Sequence, residues 1–146
     1  MNRFRTVFAA LAAVLIVVAL TACSGGSTHF VSEGNAYTAQ TVTAVLDTAD
    51  ASTAEGKPTS EAGELRSQAL VSLRRQGGSA AKAADILTQT FANSSPGVPY
   101  YVEEATFDGA DALVVAEVIG PKGGALEDKR IWVIDDAGEI LFSGTR

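Results

Sequence analysis

Residues 112–119 read Ala-Leu-Val-Val-Ala-Glu-Val-Ile, the most continuously apolar run after residue 23. Glu117 is its single charged residue, and all the others are apolar. Successive side chains of a β-strand point to opposite faces, so a strand that is apolar at both odd and even positions is buried on both faces. The stretch therefore predicts a strand in the centre of a sheet.

Three further strands are predicted around this one. They are rich in β-branched and aromatic side chains and cover residues 98–107, 128–135 and 139–143. Turn-forming residues separate the four strands at 108–111 (Asp-Gly-Ala-Asp), 120–124 (Gly-Pro-Lys-Gly-Gly) and 136–138 (Asp-Ala-Gly). Strands that follow one another through such short turns predict an antiparallel β-meander.

The last hairpin contains Trp132 followed by residues 133–141, which read Val-Ile-Asp-Asp-Ala-Gly-Glu-Ile-Leu. It resembles hairpins in small secreted α+β modules of the PepSY kind. The similarity covers under a tenth of the chain, and no function is carried over from it.

Two helices are predicted before the strands. The first covers residues 61–76, with Ser60 as its cap, glutamates in its first turn and arginines in its last. Its apolar stripe consists of Ala62, Leu65, Ala69 and Leu73. After Gly77-Gly78, the second helix covers residues 79–91 and has a narrow face of small residues. Residues 37–50 favour a third helix by spacing, and their β-branched content leaves a strand open as the alternative.

Helices followed by a meander predict an α+β domain. We expect two or three N-terminal helices packed on one face of a four-stranded antiparallel β-meander, with Ile140 and Phe142 of the last strand pointing into the core. The other face of the sheet is then expected to remain uncovered as an apolar patch or groove. The candidate binding surface on it comprises Tyr100, Val102, Glu117 and Trp132.

The amino terminus has the layout of a secretory signal. Arg3 and Arg5 precede an apolar run at residues 7–20, and small residues follow. A permanent membrane-spanning helix needs about 20 apolar residues to cross roughly 30 Å of hydrocarbon, and this run holds only fourteen. Residues 1–22 therefore predict a signal peptide that is removed.

Leu20-Thr21-Ala22-Cys23 follows the apolar run directly. It resembles the lipobox of bacterial lipoproteins, in which a branched apolar residue and two small ones precede a cysteine. The resemblance implies that the Cys23 sulfur receives a diacylglyceryl group carrying fatty acids such as palmitate. It also implies that a signal peptidase of the type II class cuts before Cys23. The Ala-, Gly- and Val-rich composition is similar in style to actinobacterial proteins.

The lipobox sets the expected organisation and location. Residues 23–36 are predicted to be the lipidated cysteine and a flexible tether, with Gly and Ser at 24–27, and residues 37–146 a single α+β domain. The domain is expected at the extracytoplasmic face of the cell membrane. Cys23 is also the only cysteine, so no disulfide can form within the chain.

The charge balance is acidic. Without Arg3 and Arg5, nine Lys and Arg remain against 17 Asp and Glu, a net charge of −8. Acidity disfavours nucleic acid as a partner, so the two adjacent helices are not interpreted as a DNA-binding helix-turn-helix. It also disfavours a second, electrostatic attachment to anionic lipid headgroups.

No catalytic or metal-binding constellation is evident. Nucleophilic catalysis needs an activating base, and the only histidine, His29, lies six positions from the lipidation site. The zinc, calcium and phosphate-loop spacings are missing, so no metal or cofactor is predicted. Glu103 and Glu104 are adjacent in a strand and should face opposite sides of the sheet, so they cannot share a proton.

Glu117 is the exceptional carboxylate because it interrupts an apolar strand. We expect it to pair with Lys129 or Arg130 on the neighbouring strand, which would be a structural role. The alternative is that it marks a pocket.

Two functions are compatible with these observations. The first is a non-enzymatic binding or accessory domain of a cell-envelope lipoprotein, tethered by diacylglyceryl-Cys23. Its partner would be another envelope protein, reached through the uncovered sheet face and the loop at 120–124. The second is a carrier of a small apolar ligand, held in a cavity between helices and sheet as in NTF2-like or cystatin-like arrangements.

Overall fold

The computed structural model describes residues 27–93 and 97–146. The signal peptide, the lipobox and Cys23 lie outside these residues. In chain order the elements are β1 (His29–Val31), β2 (Ala36–Tyr37), α1 (Val45–Thr48), α2 (Ala62–Gln76), α3 (Gly78–Thr90), β3 (Val98–Phe107), β4 (Ala110–Ile119), β5 (Asp128–Ile134) and β6 (Ile140–Thr145). The predicted α+β class is confirmed.

The sheet is larger than predicted and mixed rather than antiparallel. The strands lie in the order β1-β3-β4-β5-β6, and β2 also pairs with β3. β3 to β6 pair antiparallel in sequence order, whereas β1 and β2 pair parallel to β3. The sheet thus has two strands more than predicted, and these two run parallel to β3, so the prediction of a sheet made of four antiparallel strands alone is wrong. β1 lies within residues 23–36, where a flexible tether is predicted, and its three residues are too few to show a strand period.

β4 is the central strand, as its composition predicts, and both of its faces are covered. On one face, α2 and α3 pack through Leu73 and Leu87 against Val102 and Val115. On the opposite face, α1 and the residues around it pack against Val114 and its neighbours. The expectation of one uncovered face is wrong, because a strand that is apolar on both sides needs apolar cover on both.

The helices follow the sequence pattern closely. All four residues of the predicted stripe on α2 are buried. Gly77 and Gly78, where α2 ends and α3 begins, have φ values of 73° and 52°, which residues with a side chain rarely adopt. For residues 37–50 the sequence left helix and strand as alternatives, and in the structure residues 42–48 are helical. In β6, Phe142 packs on Phe107, but the predicted inward orientation of Ile140 is wrong because its side chain is exposed.

Within the two described ranges, no helix is both long enough and apolar enough to cross a membrane.

Candidate functional site

Glu117 lies beneath α2 with only 1% of its surface exposed. Its Oε1 accepts a hydrogen bond from Arg66 Nη1 at 2.7 Å. Its Oε2 accepts one from Arg130 Nη2 and one from Trp132 Nε1, both at 2.9 Å. The predicted structural pairing across strands is thus confirmed for Arg130, while Lys129 lies opposite Val118 instead.

Both guanidinium groups are held by more than the carboxylate. Arg66 also donates to the Gly97 carbonyl at 2.9 Å, and its Cζ lies 5.3 Å from the centre of the Phe91 ring. Arg130 stacks over Trp132 at 4.6 Å. Both carboxylate oxygens of Glu117 are engaged, so this cluster attaches α2 to the sheet. Arg66 Nη2 and Arg130 Nε are buried without a hydrogen-bond partner among the described residues.

Glu103 forms a second buried cluster, on the opposite face of the sheet, and is fully buried. Asn35 donates to its Oε1 from the backbone nitrogen at 2.7 Å and from Nδ2 at 3.3 Å. Tyr37 and Tyr101 donate their hydroxyls to Oε2, each at 2.9 Å. Among the described residues no cation forms an ion pair with Glu103. The cluster fastens the segment that carries β2 to β3.

The tyrosine hydroxyls are held in their protonated form. Burial raises the pKa of Tyr101, and the hydrogen bond to Glu103 raises it further. Burial also raises the pKa of Tyr37. Burial, followed by the negative charges of Glu55 and Asp47, raises the pKa of Tyr100 to about 12. The raised pKa keeps each phenol neutral at pH values above the ordinary 10.0, so Tyr37 and Tyr101 remain donors to Glu103 even in mild alkali.

These shifts predict a loss of stability in alkali. Because the folded-state pKa of each tyrosine lies above the ordinary value of 10.0, the folded chain holds these protons more tightly than the unfolded chain. Their contribution is fully present below pH 10 and is lost as the pH rises toward the raised values. We expect the urea midpoint to fall above pH 10, with tyrosinate absorbance at 295 nm appearing only on unfolding. Titration of all three tyrosines at pH 10 in a folded chain would contradict this.

Two neighbouring tyrosines provide a matched pair of substitutions. The Tyr100 hydroxyl is buried and has no hydrogen-bond partner among the described residues, so Tyr100→Phe should leave the free energy of unfolding unchanged or raise it. Tyr101→Phe removes a donor from a buried carboxylate and should lower it by about 1.5–3 kcal/mol. Urea unfolding of both variants measures the difference. Equal losses of free energy of unfolding in the two variants would show that the hydrogen bond from Tyr101 to Glu103 does not stabilise the fold.

The four residues of the predicted binding surface do not form an exposed surface. Tyr100, Val102 and Glu117 are buried, and Trp132 is half-buried against Phe91. Tyr100 packs in the layer of α1, whereas Val102 and Trp132 lie under α2 and α3. The prediction is wrong because it assigned these residues to an open sheet face.

A concave site lies elsewhere, between α3 and the ends of β3 and β4. It is a cleft of about 410 Å³. Its apolar floor includes Ile86 and Leu113, and hydroxyl groups line its walls. Its charged residues are Lys82, Glu104, Asp111 and Asp136. Lys82 Nζ lies 3.3 Å from Asp136 Oδ1, and both side chains are largely exposed. Glu104 is in this cleft because it points away from Glu103, as predicted from strand alternation.

A wider, open hollow of about 1070 Å³ runs along the outer side of α2 past Gln68 and Val71.

The loop at 120–124, which was predicted to contact a partner, is hydrogen-bonded to the segment before α2. Thr59 Oγ1 donates to the carbonyls of Pro121 and Gly124, both at 3.1 Å. Of these regions, the cleft has the shape and the mixture of groups of a binding site.

Catalytic geometry is not evident at the cleft. His29 packs against the Tyr101 ring, 5.7 Å between ring centres, and does not line the cleft. Residues 27–93 and 97–146 bring together no group of three or more side chains able to hold a metal ion.

No protein-family model matches the chain, and no similar curated protein or solved structure was found. Its function therefore has to be inferred from its own residues.

Proposed function

We propose that the chain is a cell-envelope lipoprotein, held at the extracytoplasmic face of the membrane by diacylglyceryl-Cys23, whose domain binds a partner without catalysing a reaction. The sequence Leu20-Thr21-Ala22-Cys23 after an apolar core supports the anchor. Each buried methylene contributes about 0.8 kcal/mol, so two long acyl chains give on the order of 20 kcal/mol. Attachment of this strength is effectively permanent.

The main support for a binding role is the cleft between α3 and the sheet. It is open to solvent and combines an apolar floor with charged walls. Three carboxylates, from Glu104, Asp111 and Asp136, stand against the single ammonium group of Lys82. The excess negative charge suits a basic side chain on a partner, which we propose is another envelope protein.

Binding is favoured over catalysis because the buried carboxylates are fully engaged. Glu117 is held by two arginines and a tryptophan, and Glu103 by an asparagine and two tyrosines. Neither carboxylate lines the cleft, so neither is placed to exchange a proton with a ligand there.

A carrier of a small apolar ligand is the weaker alternative. This alternative requires a closed cavity between helices and sheet. Leu73, Leu87 and Val115 are fully buried and packed together there, and the cleft that does lie between α3 and the strands is open to solvent. In the cleft, an apolar ligand would cover charged groups without satisfying them, which costs free energy.

The anchor is tested by labelling cells with an alkyne analogue of palmitate. The native chain and the neighbouring control Ser24→Ala should both incorporate the label, because both retain the Cys23 thiol. Cys23→Ser should incorporate none. Label in Cys23→Ser, or none in the native chain, would contradict the anchor.

The cleft is tested by photo-cross-linking in intact cells from a photoreactive residue at position 106, followed by identification of the captured neighbour. The pair Glu104→Gln and Asp111→Asn, introduced together, should reduce capture at least tenfold because it removes most of the negative charge. Glu127→Gln changes an exposed carboxylate outside the cleft and should leave capture unchanged. Equal capture in all three chains would contradict a role of the cleft.

A further inference from the structure

The chain enters the domain at Thr28, which is fixed to the sheet. The Thr28 side chain is buried, and its Oγ1 donates to the Pro99 carbonyl at 3.0 Å. The Thr28 carbonyl accepts a hydrogen bond from Gln76 Nε2 at 3.3 Å. Pro99 lies at the start of β3. The segment that leads to Cys23 therefore joins the domain at the end of the sheet where β3 and β5 begin and β4 and β6 end, which we call the tether end.

The chain between the lipidation site and the domain is short. Cys23 precedes Thr28 by five residues, so their Cα atoms are at most about 18 Å apart, because one residue spans no more than about 3.6 Å. Ser32 lines the cleft between α3 and the sheet and follows Cys23 by nine residues, which gives a limit of about 32 Å. A domain anchored at Cys23 thus stays close to the bilayer.

Negative charge is concentrated at the opposite end of the sheet, which we call the acidic end. The cleft lies there and holds three carboxylates. The loops between the strands add four more around it: Glu33, Asp108, Asp135 and Glu139. Lys82 is the cation of the cleft. Seven carboxylates against this one ammonium group give the acidic end six of the eight excess negative charges of the mature chain.

The tether end is close to neutral. Its exposed cations and carboxylates are interspersed, and Asp47 pairs directly with Arg146. The cations are Lys57, Lys122, Lys129 and Arg146, and the carboxylates are Asp47, Asp50, Glu55, Glu127 and Asp128. The buried cluster around Glu117 adds two arginines and one carboxylate, so the two signs balance. The outer side of α2 adds Glu61, Glu64 and Arg75, a single excess negative charge.

We infer that the anchored domain stands with its tether end toward the bilayer and its acidic end, with the cleft, toward the aqueous side. This orientation rests on the proposed anchor at Cys23. A membrane surface with anionic lipids has a negative potential that decays over about 8 Å at physiological ionic strength. Only the part of the domain nearest the lipid is subject to this potential. The near-neutral end can approach the surface, whereas the acidic end is repelled.

The orientation restricts how a partner reaches the cleft. The cleft opens away from the lipid, so a partner has to present its basic group from the aqueous side, facing back toward the membrane. The limit set by Ser32 places this contact within roughly 30 Å of the anchor. The partner is therefore a protein with a basic surface close to the same membrane.

Fluorescence quenching on vesicles tests the orientation. The processed chain, residues 23–146, is coupled through the Cys23 thiol to a maleimide phospholipid in vesicles of phosphatidylcholine and phosphatidylglycerol in equal parts. A fluorophore is attached through an azide-bearing residue in place of Ala137, at the acidic end, or Thr145, at the tether end; both positions are exposed. A short-range quencher on the lipid headgroups should quench the fluorophore at position 145 at least twofold more strongly. Equal quenching, or stronger quenching at 137, would overturn the inference.

The role of charge is tested with the same two label positions. Glu33→Gln, Asp108→Asn and Glu139→Gln together remove three carboxylates of the acidic end that do not line the cleft. In this variant the difference in quenching between positions 145 and 137 should fall by at least half, because the repulsion of the acidic end is weakened.

A matched variant changes the same number of charges at the tether end. Glu55→Gln, Glu127→Gln and Asp128→Asn should retain the difference in quenching. The same difference in both variants, with circular dichroism showing both folded, would contradict orientation by charge. The maleimide lipid supplies the anchor chemically, so these results do not depend on acylation of Cys23 in cells, which the palmitate label tests separately.

Discussion

Replacing Glu117 with alanine is expected to lower the free energy of unfolding by about 3–5 kcal/mol, the cost of breaking a buried ion pair from one side. Arg66 would remain buried between α2 and the sheet without a counter-ion. Trp132 Nε1 and Arg130 would also lose their shared acceptor. Equilibrium unfolding in urea, followed by tryptophan fluorescence, measures the effect and reports on Trp132 itself.

Two comparison variants separate the charge from the packing. Glu127→Ala removes an exposed carboxylate and should change the free energy of unfolding by less than about 0.5 kcal/mol. Glu117→Gln retains the shape and an acceptor oxygen but not the charge, so its loss should fall between the other two. A Glu117→Ala chain as stable as the Glu127→Ala chain would show that the buried cluster does not hold α2 on the sheet.

Replacing Gly34 with alanine is expected to destabilise the chain by about 3 kcal/mol, the upper end for overpacking at a rigid site. A Cβ atom at Gly34 would lie 2.3 Å from the Glu104 carbonyl oxygen and 2.4 Å from Glu103 Oε1. The first is backbone of the long strand β3, so it cannot move aside without disturbing the sheet. The segment between β1 and β2 would be displaced, and the hydrogen bonds from Asn35 to Glu103 would be lost with it.

The control for this substitution is another glycine. Gly63 lies in α2 with open space around its Cα, so Gly63→Ala should stabilise the chain by roughly 0.5–1 kcal/mol. Thermal unfolding of both variants gives opposite shifts if the close approach at Gly34 is real. A Gly34→Ala chain that unfolds at the native temperature would contradict the tight contact between this segment and β3.

The long elements could be predicted because they repeat a period many times. β4 has enough apolar positions to show that both of its faces are buried, and α2 shows a complete stripe from Ala62 to Leu73. The same pattern in β4 implies that both faces of the sheet are covered. The expectation of helices on one face and an open second face did not take this into account.

The remaining features depend on contacts that sequence spacing does not show. β1 and β2 are strands only because β3 offers them an edge to pair with. Glu103 has a neighbouring carboxylate in sequence, but its donors at Asn35 and Tyr37 come from a distant segment.

The burial of Arg66 with an acidic partner could have been predicted from the sequence. Arg66 falls four residues after Ala62 and seven before Leu73, on the apolar stripe of α2, where an isolated cation requires a buried partner.

We propose above that an acylated cysteine holds this domain at the membrane. Mass spectrometry of the protein purified from membranes of its native cells tests it most directly, because it reads the first residue and its modification together. The proposal predicts a chain that begins at Cys23 and carries the mass of a diacylglyceryl group. A chain that begins at Met1, or at Cys23 with a free thiol, would contradict it.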